Sequence, residues 1–379
     1  MLAARSITGH PMQPHHPLDA VTHPAPYPYY GALARGRPLY RDSMLGLWVA
    51  CHPDTITAVM RHPAARVRPP AEPVPTGLCP GPAGELFGRF VRMNDSALHS
   101  RLKDLLATFM REQGLVQPPP RAWLPATPLD AASVDRYLCA APVHAQAAFL
   151  GLGPALHADC AADIAGFLLA LPATAGAGRI TAGHAAAERL QTRLASHLAG
   201  PDAPPALRRL SAGAAQAGIA PAMVAANLAG LLFQSCEAGA GLLGNALILA
   251  GRRGATAALT HEEARTLVGD VVRHDPPLHN TRRFLADGID IGGQRIEAGQ
   301  TVLLVLAAAA MAQPEKDWTF GAQGHACPGG EAARRHAADA LTHLLGAGVD
   351  AAALAARFRY RPLPNARIPQ FHFSEDSHP

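Results

Sequence analysis

The chain has 379 residues, 49% of them hydrophobic and 16% charged, with a formal charge of +4. That composition excludes general disorder, and scattered charge with only 5% aromatics lacks the basic, aromatic-interleaved footprint of a nucleic-acid binder. The length admits two or three average domains or one large one.

The six cysteines, Cys51, Cys79, Cys139, Cys160, Cys236 and Cys327, form no CxxC pair, so a reduced cytoplasmic protein is expected. No apolar run follows the early Arg5, and neither a signal peptide nor an anchor is read there. Over the first 80 residues, prolines surround short apolar runs such as Leu45 to Ala50, predicting strands and turns with one helix, Asp54 to Arg61, capped by Asp54. From about Asn94 to Arg265 the pattern is helical, broken at Pro/Gly clusters near 117–128, 151–154 and 200–205. Met223 to Leu249 is long and apolar enough for a membrane span. Glu237 at its middle, with Asn227, Gln234 and Asn245, makes a helix through the core of a soluble protein the better reading.

Between Ile289 and Ala309 the period changes to alternation around Gly292-Gly293 and again after Ala298-Gly299, which predicts a small β-meander. An Ala-rich helix follows Cys327 to about Leu345, and residues 357–373 alternate like a strand pair. No repeat or linker is present. The fold class is therefore mainly α with small β-sheets in a single large domain. Its β-containing parts lie at about 25–80 and 285–310, its helical core at about 94–275, and a loop with its following helix at 318–345.

Cys327 sits in "WTFGAQGHACPGGEAARR" between a glycine-broken loop and a helix start. Pro328 suits the first turn, and Gly329 and Gly330 let backbone N–H groups approach the sulfur. Such a setting suits an iron ligand or a nucleophile, and His325 is the nearest base.

Phe320-Gly321, His325, Cys327 and Gly329 resemble the ligand loop of the cytochrome P-450 family, Phe-Gly-x-Gly-x-His-x-Cys-x-Gly, with Gln323 where the fourth position is glycine. "DVVRHDPPLHNTRRF" resembles the family's Glu-x-x-Arg helix and propionate-binding arginine, with Asp270 and Arg273 as the ion pair and Arg283 as that arginine. Glu262 and Arg265 share the spacing but lie farther from Pro276-Pro277. "MNDSALHSRLKDLL" resembles the His-x-x-x-Arg helix, with His99 and Lys103 on one face. "FQSCEAGAGLLGN" resembles the central helix in which an acid and a threonine serve proton delivery. Here Glu237 keeps the acid and Ala238-Gly239 stand where the alcohol belongs. Small residues from Ala238 to Gly241 would let that helix bulge, and the formal GxGxxG within it lacks the strand-turn boundary of a dinucleotide site. The stretch before Phe320 is shorter than the family's.

The resemblance implies a cytochrome P-450 fold with haem b, Cys327 as axial ligand, and His99, Lys103, Arg283, Phe320, His325 and Gly329 around the cofactor. It implies a monooxygenase that oxidises a small apolar or natural-product substrate with O2, as in secondary metabolism, with electrons from a ferredoxin or flavodoxin. Arg334 and Arg335 are candidate docking charges for that donor. The missing alcohol leaves open a peroxide-dependent or atypical oxidation, or a catalytically degenerate helper for a partner enzyme.

Overall fold

The computed structural model describes residues 13–113, 129–255 and 259–373. The expected break near 117–128 and the first twelve residues lie outside them.

The proline-rich start is more helical than its composition predicts. Helix α1 (Tyr27–Gly36) carries proline in its first turn, where the missing N–H costs nothing. It buries Tyr30, Leu33 and Ala34. Strands β1 (Leu39–Asp42) and β2 (Leu47–Ala50) pair antiparallel. Helix α2 (Pro53–Arg61) starts one residue earlier than expected, because the His52 side chain, not Asp54, accepts the first-turn N–H. Strand β3 (Ala65–Arg66) and helix α3 (Pro82–Arg89) complete this region.

The helical core comprises α4 (Ala97–Gln113), α5 (Ala131–Phe149), α6 (His157–Ala170), α7 (Ala177–Ala199), α8 (Pro205–Gln216), α9 (Pro221–Arg252) and α10 (His261–His274). The expected breaks at 151–154 and 200–205 fall between helices, and a further one separates α6 from α7. Helix α10 opens with a Thr260/Glu263 capping box.

Strands β4 (Thr281–Leu285), β5 (Ile289–Ile291), β6 (Gln294–Ile296) and β7 (Thr301–Leu304) do not form the expected meander. β5 and β6 make a hairpin with Gly292 and Gly293 both at positive φ. β7 leaves it for a five-stranded sheet of order β1-β2-β7-β4-β3. Residues after Val305, expected as strand to Ala309, fold as α11 (Leu306–Ala312), because an alanine run favours helix once the apolar strand has ended. Then come α12 (Gly330–Gly346), α13 (Ala351–Ala356), β8 (Arg359–Tyr360) and its antiparallel partner β9 (Pro369–Gln370).

Helix α9 runs through the centre, packed against α5, α7, α10, α12 and α13. By length and composition it could cross a membrane, but most of its apolar window is buried inside the protein, as expected of a core helix. Its glycines admit neighbours closely: a Cβ on Gly251 would lie 2.0 Å from the Ala351 carbonyl oxygen.

Candidate functional site: a cysteine-bearing cleft

The Cys327 loop consists of two short 3₁₀ turns, Trp318–Phe320 and Gln323–His325, tied shut by the Cys327 N–H donating to the Phe320 carbonyl at 2.8 Å. Gly321 has φ +71°, and a Cβ there would meet the His325 carbonyl at 3.3 Å. Gln323 occupies the position where the resembled pattern has glycine. It adopts φ +57°, the one non-glycine positive φ among the described residues. The turn is thus kept at a cost of about 1–2 kcal/mol for an L-residue.

The Gly329 N–H donates to the Cys327 sulfur, as the sequence predicts. A Cβ on Gly330 would touch the Phe320 ring at 3.4 Å, and one on Gly329 would crowd the Met110 Cε at 2.9 Å. Cys327 carries accessible surface, yet burial is the main reason its thiol is pushed up. A side chain both accessible and closely surrounded by protein lines a cleft. Against that burial work the Gly329 N–H and the charges of Arg92, Lys103 and Arg334.

Of the expected cofactor-binding residues, His99, Lys103 and His325 lie together. His99 and Lys103 lie one turn apart on α4, and His99 stacks on His325 with ring centroids 4.4 Å apart. Burial, then His325 and Lys103, push His99 down to about 4, keeping it neutral. The Lys103 ammonium donates to the Gly324 carbonyl. Arg283 on β4 is buried, and its Nη1 donates to the Arg282 carbonyl at 2.8 Å. Burial lowers its pKa and the charge of Asp95 opposes this.

Sequence reasoning missed three residues here. Asp95 accepts His325 Nε2–H at 3.0 Å and the Val67 N–H at 2.9 Å; these bonds overcome burial and hold its carboxyl below the usual range. Arg92, in the 3₁₀ turn Val91–Met93, is accessible but so closely surrounded that burial lowers its pKa, opposed by Cys327 and Glu237. Arg361, just after β8, places a positive charge near enough to Glu237 to oppose the effect of its burial. The only sequence signal for Arg92 is a cation inside the apolar run "LFGRFVRM".

Helix α9 supplies the opposite wall. Ala225 to Gly230 and Ala240 to Leu247 are buried throughout, whereas Gln234, Ser235, Glu237, Ala238 and Gly239 keep partial accessibility. Burial raises the Glu237 carboxyl, and Arg361 and then Arg92 oppose it. Ser235 Oγ–H donates back to the Leu232 carbonyl at 2.8 Å, so this alcohol is occupied within the helix. The expected bulge does not form: α9 is uninterrupted, because its small residues are filled by neighbours. A Cβ on Gly239 would lie 2.5 Å from Pro142 of α5, so Gly239 is a packing position. Glu237 and Ala238 remain as cleft residues.

The Asp270–Arg273 ion pair forms at 2.9 Å, with Arg253 as a second partner at 2.9 Å. It is a surface cluster, both arginines being half exposed, and not the buried pair implied by the resemblance. The pair with a buried guanidinium is Asp275 with Arg367, at 2.8 Å, the Arg367 side chain being 3% exposed. Arg265, of the competing Glu262/Arg265 pair, reaches Glu331 on α12 at 3.1 Å. Arg334 is held by Asp317 and lies over the Phe320 ring at 4.6 Å.

Comparison with protein-family models and with curated proteins finds no match. Solved structures do match. CalO2 is similar at a TM-score of 0.70 and 20% identity, covering 91% of this chain and 94% of its own. P450BioI, in complex with an acyl carrier protein ligated with hexadec-9Z-enoic acid, is similar at 0.66 and 19%, covering 92% and 98%. CYP164A2 of Mycobacterium smegmatis is similar at 0.66 and 22%, covering 94% and 97%. The chain has the cytochrome P450 fold: mainly helical, with small sheets, in one large domain.

Proposed function

We propose that the protein is a haem-thiolate oxidoreductase, a cytochrome P450 monooxygenase in which Cys327 ligates the iron of haem b. The observation that carries this reading is Cys327 itself, an accessible cysteine held by the Gly329 N–H in a cationic cleft that faces the accessible stretch of α9. The residues present fit the group. Gly329 keeps a Cβ away from the sulfur, Gly330 leaves room for the Phe320 ring, and Arg283 is a buried guanidinium whose bonded partner is a single carbonyl. A thiol that burial alone holds protonated becomes a thiolate beside a metal cation.

His99, Lys103, Arg283 and His325 would hold the propionates, Arg283 through two parallel hydrogen bonds and Lys103 as a point charge. Phe320 packs on Gly330 behind the sulfur and fixes the loop. The chemistry a bound haem supplies there is reductive activation of dioxygen for oxidation of a small apolar substrate. Glu237, its carboxyl raised by burial, is the proton-transfer group of the cleft wall, and no free alcohol on α9 accompanies it. Proton delivery therefore passes from Glu237 through water or the substrate beside Ala238. Electrons come from a ferredoxin or flavodoxin in the cytoplasm. Arg335 is the better docking charge for that donor, since Arg334 is already engaged by Asp317.

The test is spectroscopic. Reduced protein treated with carbon monoxide should give the red-shifted Soret band of thiolate-bound haem, and Cys327→Ala should lose it. A wild-type protein that cannot be loaded with haem refutes the reading.

A further inference from the structure

The loop before Cys327 has little apolar packing to hold it. Between Gly321 and Gly330 only Ala322 is buried, and Gln323 sits at φ +57°, a conformation that disfavours an L-residue. Within the loop, the Cys327 N–H donates to the Phe320 carbonyl at 2.8 Å and the Ala326 N–H to the Gln323 carbonyl at 3.1 Å. A segment with so few buried contacts opens locally at low cost unless bonds from outside hold it.

Those bonds come from the start of α4. Asp95, just ahead of the helix, and His99 and Lys103 within it recur at intervals of four, the spacing of one helix face. All three meet the loop. Asp95 Oδ1 accepts His325 Nε2–H at 3.0 Å, the His99 ring stacks on His325 with centroids 4.4 Å apart, and the Lys103 ammonium donates to the Gly324 carbonyl. An ionised carboxylate only accepts, so the Asp95 contact fixes a proton on Nε2 and orients the imidazole. Asp95 is itself held from a third element, its Oδ2 accepting the Val67 N–H just after β3 at 2.9 Å. We infer that Asp95 is a positioning residue: by orienting His325 it holds the Gln323–His325 turn, and with it the Cys327 sulfur, in place. This rests on the proposed function only in taking Cys327 as the group to be positioned.

The experiment is hydrogen exchange of the purified protein followed by mass spectrometry, comparing peptides from residues 318–328 with peptides from residues 240–247 of α9. Asp95→Ala should speed exchange in the loop by about tenfold or more, as expected for loss of a hydrogen bond to a charged group, and leave α9 unchanged. His325→Phe, which cannot donate, should do the same, whereas His325→Gln, whose amide can still donate to Asp95, should keep part of the protection. In Asp95→Ala/His325→Phe the loop should exchange no faster than in the faster single variant, because either change removes the same contact. Loop exchange untouched by Asp95→Ala, or equal acceleration in α9, overturns the inference. So do effects that multiply in the double variant, since Asp95 then acts through Val67. If Asp95→Ala does not fold, Asp95→Asn keeps the volume and an acceptor for the Val67 N–H, and the same comparisons decide. Exchange is read whether or not haem is present. A protein that lacks the thiolate-haem band but whose loop opens on Asp95→Ala keeps this inference and loses the proposed function.

Discussion

Removing Asp275 should damage this fold far more than removing Asp270, the acid that the sequence motif singles out. Asp275 accepts the Tyr27 hydroxyl at 2.5 Å, Arg367 Nε at 2.8 Å and the Tyr360 hydroxyl at 3.4 Å. Arg367 lies over the Tyr360 ring at 3.6 Å, and its Nη1 donates to the Val21 and His23 carbonyls, tying the N-terminal segment to the core. The Arg367 side chain is 3% exposed, so Asp275→Ala leaves a buried guanidinium without its counter-charge. Breaking a buried pair on one side costs about 3–5 kcal/mol, whereas an exposed pair contributes about 0–1 kcal/mol. With an unfolding entropy of about 2.1 cal/mol/K per residue over 379 residues, Asp275→Ala lowers the thermal midpoint by about 4–6 °C. Asp270→Ala lowers it by about 1 °C or less on the same basis. Scanning calorimetry at neutral pH on both variants, with Asp275→Ala/Arg367→Met, reads the difference. The double variant should recover part of the loss, because no charge is left stranded. If Asp270→Ala is the more damaging, or the double variant loses as much as the two singles summed, the argument from burial fails.

Five further outcomes follow from the geometry. Glu237→Gln should reduce kcat by about 10²-fold, the usual scale of a lost proton donor, with a smaller change in KM; equal losses in both count against a proton role. Because the fold raises the Glu237 carboxyl, the wild type should lose stability relative to Glu237→Gln as pH rises from the ordinary 4.5 through the raised folded value, read by denaturant melts across pH. His144 and His336 are each pushed down to about 4, chiefly by burial, so the stability they give is present above 6.5 and lost as pH falls towards 4; His144→Gln with His336→Gln should flatten that slope. Gln323→Gly should relieve the left-handed strain and gain about 0.5 kcal/mol after the glycine's entropy is offset, seen as a higher denaturant midpoint. Gly241→Ala places a methyl 2.8 Å from Pro277 Cβ and 2.9 Å from the Arg367 carbonyl, and the overpacking of about 1–3 kcal/mol should exceed the ~1 kcal/mol of helix propensity gained.

What could be read in the sequence is what depends on local spacing. The Cys327 loop, the α12 start, the apolar α9 and the β5–β6 hairpin each announce themselves within a dozen residues, through glycines at fixed offsets or a constant period. The local misreadings arise where two short-range signals compete. Prolines in "PAPYPYY" argue for turns but also suit a helix start, and burial of Tyr30 and Leu33 against α11 settles α1 as helix. In "VLAAAA" an apolar run fits strand until the β7 ladder stops at Leu304, and alanine propensity then prevails. The remaining omissions are of another kind. Arg367 and Asp275 are 92 residues apart, and Arg361 and Glu237 belong to elements that only the folded chain brings together. No periodicity encodes such pairings. The Asp270–Arg273 pair read from the motif does form, but its arginine partners are half exposed, and spacing alone does not supply the burial that gives an ion pair its energetic weight. The desolvated guanidinium is instead Arg367, paired with Asp275 five residues on. Motif spacing thus points to the cysteine loop, since a loop's chemistry is local, but it cannot say which charges the fold desolvates. Arg367 is such a charge, and through the Val21 and His23 carbonyls it holds the N-terminal segment to the core.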